Sequence, residues 1–246
     1  MSAIETVGLT RRFGDLTALS DLTLTVPEGE LFALLGPNGS GKTTTIDILT
    51  GQLDPTSGSA TVLGHDPVTE PLAVRRDVGI LPEREDPPNF LTPREYLEFV
   101  GAVRELPDVT EKIDEWADRF EFREKLDTLA SDLSEGERQR VMLAAAFVHE
   151  PELVFIDEPL VNLDPLMQEQ IKGHFVEYCE RGNTVFLSTH FIDVAEELCT
   201  QVAIVNDGRL VAERDPRELQ GGQRLLDVFR AEVDDDGAAV AGAADD

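Results

Sequence analysis

The chain has 246 residues, enough for one α/β domain with a full core or for two small ones. Its 49 Asp and Glu against 21 Lys and Arg leave a formal net charge of -28, and its lysines are Lys42, Lys112, Lys125 and Lys172 alone. A field this negative argues against nonspecific binding to nucleic acid or anionic lipid, and a phosphate-bearing ligand is held only where local donors overcome it.

The acid is spread along the whole chain instead of being confined to one tail. With lysine so scarce, the surface is similar to that of proteins from salt-loving organisms, where salt screens self-repulsion. Two cysteines, Cys179 and Cys199, lie far apart in sequence, which disfavours metal or disulfide chemistry and suits a reducing cytosol. There is no apolar signal segment and no apolar run of membrane-spanning length, so any membrane role is expected to come through a partner.

Ile4–Leu9, Leu22–Val26 and Ser59–Leu63 are predicted strands. Leu22, Leu24 and Val26 alternate with threonines, the period of a half-buried strand. Phe13 lies in Arg12-Phe13-Gly14 between the first two. An aromatic there either packs against its neighbours or stacks on a flat base, and the residues favour neither reading.

The apolar run Leu31-Phe32-Ala33-Leu34-Leu35 predicts a buried strand, and Thr44–Leu49 a helix. Between them Gly36-Pro37-Asn38-Gly39-Ser40-Gly41-Lys42-Thr43-Thr44 fits the phosphate-binding pattern G-x-x-x-x-G-K-[ST], in the strand–loop–helix setting the pattern needs. The glycines let the backbone curl so that successive N–H groups face one anion, and the helix N-terminus adds its positive dipole end. Lys42 is placed to reach the β- and γ-phosphates as a point charge, and the Thr43 hydroxyl to ligate Mg²⁺.

Val78–Leu81 is a short strand, and Pro82–Pro88 reads as a loop. Helical patterns cover Pro93–Arg104, Thr110–Phe120 and Arg123–Ala130, with Thr92 and Glu95 as a capping box. A strandless stretch of this length reads as a helical insertion. Ser134 and Glu137 head a further helix over Arg138–His149 and, taken alone, would be an N-cap pair.

Leu153-Val154-Phe155-Ile156 suits a central parallel strand, and Asp157-Glu158 follows at its C-terminal end, where ligands sit in open α/β sheets. Beside a phosphate loop, such a pair reads as the magnesium-side motif. Adjacent side chains at a strand end point in different directions, so one can face the metal and the other the attacking water. Asn162-Leu163-Asp164 leads into a helix over Pro165–Glu180, and Thr184–Leu187 is a buried strand ending in Ser188-Thr189-His190. The helix Phe191–Cys199 and the strands Val202–Val205 and Arg209–Ala212, turned by Asn206-Asp207-Gly208, complete the core. From residue 231 the composition predicts a disordered, solubilising tail.

In this order and spacing the motifs resemble the ATP-binding cassette ATPases of ABC transporters over residues 3–220. The resemblance implies an α/β P-loop NTPase core with a mainly parallel sheet, an N-terminal antiparallel β subdomain and a helical insertion. Residues 1–230 would be the nucleotide-binding domain, 84–140 its helical subdomain and 231–246 the acidic tail. Walker A is residues 36–43 and Walker B is Leu153–Asp157 with Glu158. Leu133-Ser134-Glu135-Gly136-Glu137 stands for the signature usually written LSGGQ, Asn162-Leu163-Asp164 for the D-loop and His190 for the switch histidine. Phe13 aligns with the adenine-stacking aromatic.

Carried over position by position, the resemblance implies ATP and Mg²⁺ as ligands of a head-to-tail pair of cassettes. Asp157 would hold the metal through water, Glu158 would act as general base, and His190 would contact the γ-phosphate. Ser134 and Gly136 would reach the γ-phosphate bound by the other cassette, and Asp164 would couple the two sites. The Q-loop glutamine falls at Glu83, where a carboxylate adds charge and can ligate the metal or attract a proton; a Glu here resembles cassettes of the drug-, sodium- and polysaccharide-exporting branch. Glu135 and Glu137 replace Gly and Gln and add charge near a bound phosphate. The implied partners are transmembrane permease subunits and a second cassette, identical or paralogous, with no nucleic acid. The implied place is the cytoplasmic face of the membrane and the implied direction export. The alternative is a soluble cassette ATPase of an assembly or repair system.

Overall fold

Two sheets build the chain around the loop that follows Leu35. The computed structural model describes residues 1–83, 85–160, 163–219 and 222–241, with side chains through Val233. The smaller sheet is antiparallel, in the order β2-β1-β4, from β1 (Ser2–Phe13), β2 (Leu16–Pro27) and β4 (Ser57–Val62). The larger has the order β5-β6-β7-β3-β8-β9, from β3 (Leu31–Leu35), β5 (Val78–Leu81), β6 (Leu153–Asp157), β7 (Thr184–Thr189), β8 (Gln201–Asn206) and β9 (Arg209–Arg214). Its strands are parallel except β9, which turns back on β8 through Asp207 and Gly208.

The central strands are apolar throughout because each is covered on both faces. Leu31, Ala33 and Leu35 join a core with Val154, Ile156, Val185 and Leu187, beneath α5 (Glu135–Phe147) and α6 (Pro165–Glu180). Phe32 and Leu34 point the other way, with Phe155 and Phe186, into a second core closed by α1 (Lys42–Leu49) and the antiparallel sheet. Strand periodicity thus sends alternate residues of one short run into two different cores.

The insertion contains α3 (Pro93–Val103) and α4 (Val109–Arg119), followed by α5. The capping box expected at Thr92 is present, with both Thr92–Glu95 bonds formed. The helix expected over Arg123–Ala130 is replaced by two 3-10 turns, Arg123–Lys125 and Ala130–Asp132. The reason lies in the backbone: Leu126 accepts from Arg94 N–H, and the Ala130 N–H donates to Leu91. These bonds to the 89–94 segment take groups that a helix would pair internally.

A short helix, α2 (Pro71–Asp77), occupies a stretch for which the sequence suggests no element. After α7 (Ile192–Leu198) and β9, α8 (Leu225–Ala241) runs past residue 230, where composition predicts a tail. Leu225, Val228, Phe229 and Val233 form an apolar stripe at helical spacing that packs on the core, and this carries the helix across the composition change. Residues 242–246 lie outside the described residues.

Candidate nucleotide site

The loop after β3 is shaped by what cannot fit in it. A side chain at Gly36 would meet the Val205 carbonyl at 2.3 Å, and one at Gly41 would meet the Ala18 carbonyl at 2.6 Å. Gly41 also has φ +102°, a conformation that side chains resist. Only bare backbone turns here, so α1 begins at Lys42 with its N-terminus open to the cleft. The Lys42 ammonium donates to the Gly36 carbonyl at 2.9 Å and the Pro37 carbonyl at 3.2 Å. Burial pushes its pKa down, against the pull of Glu158, Asp157 and Glu83. The Ser40 hydroxyl is buried without a hydrogen-bond partner among the described residues.

The two carboxylates after β6 diverge. Asp157, 2% exposed, accepts a hydrogen bond from the Thr43 hydroxyl at 2.7 Å, which joins the end of β6 to the first turn of α1. Glu158 takes φ +51°, a left-handed conformation that costs a non-glycine residue about 1–3 kcal/mol. Surrounding bonds hold it there: its N–H donates to the Ser188 carbonyl at 3.0 Å, and His190 Nδ1 lies 2.6 Å from its Oε1. An ionised Glu158 requires the proton on Nδ1, which leaves His190 Nε2 for a second partner.

Thr189, which the sequence reading passes over as a strand end, donates its hydroxyl to Glu158 Oε2 at 3.2 Å. The Phe191 N–H donates to the same hydroxyl oxygen at 3.1 Å, so the Thr189 proton is directed to the carboxylate. The signal for it in sequence is a hydroxyl residue directly before the histidine at a buried strand end.

Lys42, Thr43, Asp157, Glu158 and His190 line one cleft of about 900 Å³, with Asn38, Gly39, Gly41 and Thr44 on the loop side and Phe13 and Leu16 at the hairpin tip. Glu83, Glu85, Asp86 and Glu135 lie on its other walls. With Asp157 and Glu158 that makes six carboxylates around Lys42, so a phosphate ligand is accommodated best together with a cation. The fit to a magnesium-bound polyphosphate rests on the Thr43–Asp157 pair, the glycine-walled loop and the Ser40 hydroxyl left to be satisfied.

Ser134, Gly136 and Asp164 are not brought into this cleft. Ser134 caps α5 in a complete capping box, its N–H donating to Glu137 Oε2 at 2.8 Å. Lys125 lies 3.1 Å from the same carboxylate. The Ser134 backbone bond and Lys125 hold the Glu137 pKa down, and Lys125 offsets part of the charge that this substitution adds. Asp164 caps α6 by accepting from the Leu166 and Met167 N–H groups, each at 3.1 Å. Asn162 lies outside the described residues.

The chain matches the ABC transporter family over residues 19–161. It is 36% identical over 245 residues to the daunorubicin resistance ATP-binding protein DrrA3 of Streptomyces coeruleorubidus, covering 98% of this chain and 77% of that protein. It is 34% identical over 235 residues to the Nod factor export ATP-binding protein I of Rhizobium sp. (strain N33), covering 92% of this chain and 76% of that protein. A solved dimer of the cassette MJ0796, in a post-hydrolysis state with ADP and Pi, matches with a TM-score of 0.80 at 25% identity, covering 88% of this chain and all of that one. By family match, by relatives aligned along nearly the whole chain, and by a fold that brings the glycine-lined loop after β3 and a pair of carboxylates into one cleft, the chain belongs to the ABC transporter ATPases.

Proposed function

We propose that the chain binds MgATP in this cleft and powers a membrane exporter by closing head to tail on a second cassette. The observation that carries the reading is the convergence, from three separate segments, of Lys42 and Thr43, of Asp157 and Glu158, and of Thr189 and His190. The loop backbone at Gly36, Pro37, Asn38, Gly39, Ser40 and Gly41, with Thr44, cradles the phosphates, and Phe13 stacks on the base. Thr43, Asp157 and Glu83 would hold magnesium, which when bound neutralises phosphate charge and polarises the γ-phosphoryl group.

Glu158 accepts the proton of the attacking water, and His190, fixed by Glu158 through Nδ1, directs Nε2 toward the γ-phosphate. Ser134 and Gly136, at the N-terminus of α5, serve the nucleotide of the opposite cassette, which fits their position outside this chain's own cleft. Asp164 lies at the same interface.

Export is supported by the relatives, proteins of daunorubicin resistance and of Nod factor export. Among the described residues no helix is long and apolar enough to cross a membrane. The spans belong to permease subunits, which this chain meets on their cytoplasmic side through Glu83 and the helical insertion.

Closure on a second cassette makes hydrolysis depend on protein concentration. Specific ATPase activity is expected to rise with protein concentration from nanomolar to micromolar, with a Hill coefficient for ATP approaching about 2. A rate per molecule independent of concentration, with hyperbolic ATP dependence, counts against the sandwich. In molar potassium chloride the same activity is expected to increase, because a Debye length of about 3 Å screens the carboxylates around the cleft. A flat or falling salt profile removes the salt-adapted reading.

Thr189 supplies a second test, of the chemical step. Thr189→Val keeps the shape but removes the donor to Glu158 and the acceptor for Phe191 N–H. It is expected to lower kcat about tenfold, in the range for a hydrogen bond to a charged group, while ATP affinity stays within about twofold. Thr189→Ser should restore the rate. Weaker ATP binding with unchanged kcat would show that Thr189 shapes the loop instead of orienting the base.

A further inference from the structure

We propose that Arg11 is a positioning residue for the nucleotide base, its guanidinium backing the Phe13 ring so that Phe13 presents a fixed, polarised face to a purine. The inference rests on the reading that Phe13 stacks on the base. Arg11 and Phe13 are two residues apart near the end of β1, where the register with β2 shifts between Arg11 and Arg12. The guanidinium carbon lies over the ring, 4.4 Å from its centroid. Phe13 remains 45% exposed and lines the cleft, so the ring has one side taken by Arg11 and accessible surface left toward the nucleotide.

Two further bonds define what Arg11 does. Its Nη1 donates to the Asp54 carbonyl at 2.8 Å, in the segment that follows α1. The side chain therefore ties the hairpin that carries Phe13 to the helix that begins with Lys42 and Thr43. Its Nε is buried with no hydrogen-bond partner among the described residues, and the adjacent aromatic face is an electron-rich surface that offsets this cost.

The physical consequence is directional. A phenylalanine at a hairpin tip loses side-chain freedom when it stacks on a ligand. A guanidinium already seated on one face holds the ring before the ligand arrives. It also draws π density toward itself, which makes the opposite face a better partner for an electron-rich purine. A phosphate group gains nothing from this, so the effect should be confined to the base.

The test separates base from phosphate. MgADP and magnesium pyrophosphate are titrated calorimetrically into wild type, Arg11→Met, Arg11→Lys, Phe13→Leu and the Arg11→Met/Phe13→Leu double variant. Arg11→Met is expected to weaken ADP about three- to tenfold, the range of a partly desolvated cation–π contact, with pyrophosphate affinity unchanged. Arg11→Lys should recover most of the loss, and Arg11→Met should add nothing once Phe13 is leucine. Arg11→Gln keeps a polar side chain without carrying charge, and it serves in the same comparison if Arg11→Met does not fold.

Equal loss of ADP and pyrophosphate binding would make Arg11 a structural tether and overturn the proposal. A Phe13→Leu protein that loses ADP selectively, beside a silent Arg11→Met, overturns the Arg11 role alone. Unchanged ADP binding by Phe13→Leu overturns the stacking reading and the inference with it.

Discussion

Glu158→Gln is expected to lower ATP hydrolysis by about 10²–10⁴-fold, the typical cost of losing a general base. The substitution is close to a pure removal of basicity. The left-handed backbone at this position strains Gln and Glu alike, so that cost cancels. The amide oxygen can still accept from His190 Nδ1, and the amide NH₂ can donate to the Thr189 oxygen, which has a lone pair to spare beyond the one used by Phe191 N–H. Lys42, Thr43 and Asp157 are untouched, so MgATP should bind.

With the γ-phosphate uncleaved, the variant is expected to accumulate as an ATP-bound dimer, read by size-exclusion chromatography in molar salt, while wild type returns to monomer as it hydrolyses. Wild-type hydrolysis by the variant removes Glu158 from the mechanism. An inactive variant that stays monomeric with ATP bound keeps the catalytic role and counts against the sandwich.

Lys42→Ala is expected to weaken ATP binding at least about tenfold, roughly 1.4 kcal/mol or more. Among the described residues that line the cleft, Lys42 is the one lysine or arginine, and its ammonium already bridges the carbonyls of Gly36 and Pro37. Removing it leaves the backbone donors of the loop in place but lets the negative wall act on the incoming phosphates unopposed. The loss should therefore be larger at low salt than in molar salt, where the wall is screened. Titration calorimetry at both salt concentrations reads the effect, and unchanged ATP affinity refutes the phosphate-loop assignment.

What could be read locally came out close to the structure. The spans Leu31–Leu35, Val78–Leu81 and Leu153–Asp157 are strands with the expected bounds, because a strand covered on both faces is an uninterrupted apolar run ended by a turn. The phosphate-loop pattern was legible for a similar reason: its glycines and Lys42 are contiguous, and Lys42 bonds back to the Gly36 and Pro37 carbonyls of the same loop. Ser134 was legible as the cap of α5, because its capping box with Glu137 is local to one helix turn.

Where a segment's hydrogen bonds go elsewhere, local pattern failed. Phe122, Leu126 and Ala130 are buried at helical spacing, yet the backbone between them bonds to residues 89–94. The acidic composition after residue 230 hides a helix whose stripe starts earlier, at Leu225.

The sequence by itself determined the family, the loop pattern after Leu35, the places of the strands and the identity of the catalytic candidates. Only the tertiary structure decided how they meet. Strand order β6-β7-β3 brings Asp157, Thr189 and the loop after Leu35 side by side, although Thr43 and Asp157 stand 114 positions apart in the chain. Parallel neighbours are chosen by how the crossover helices pack, not by the residues at the strand ends. The direction of Glu158 is set the same way, by an unusual φ that the Ser188 carbonyl, Thr189 and His190 hold in place from a neighbouring strand.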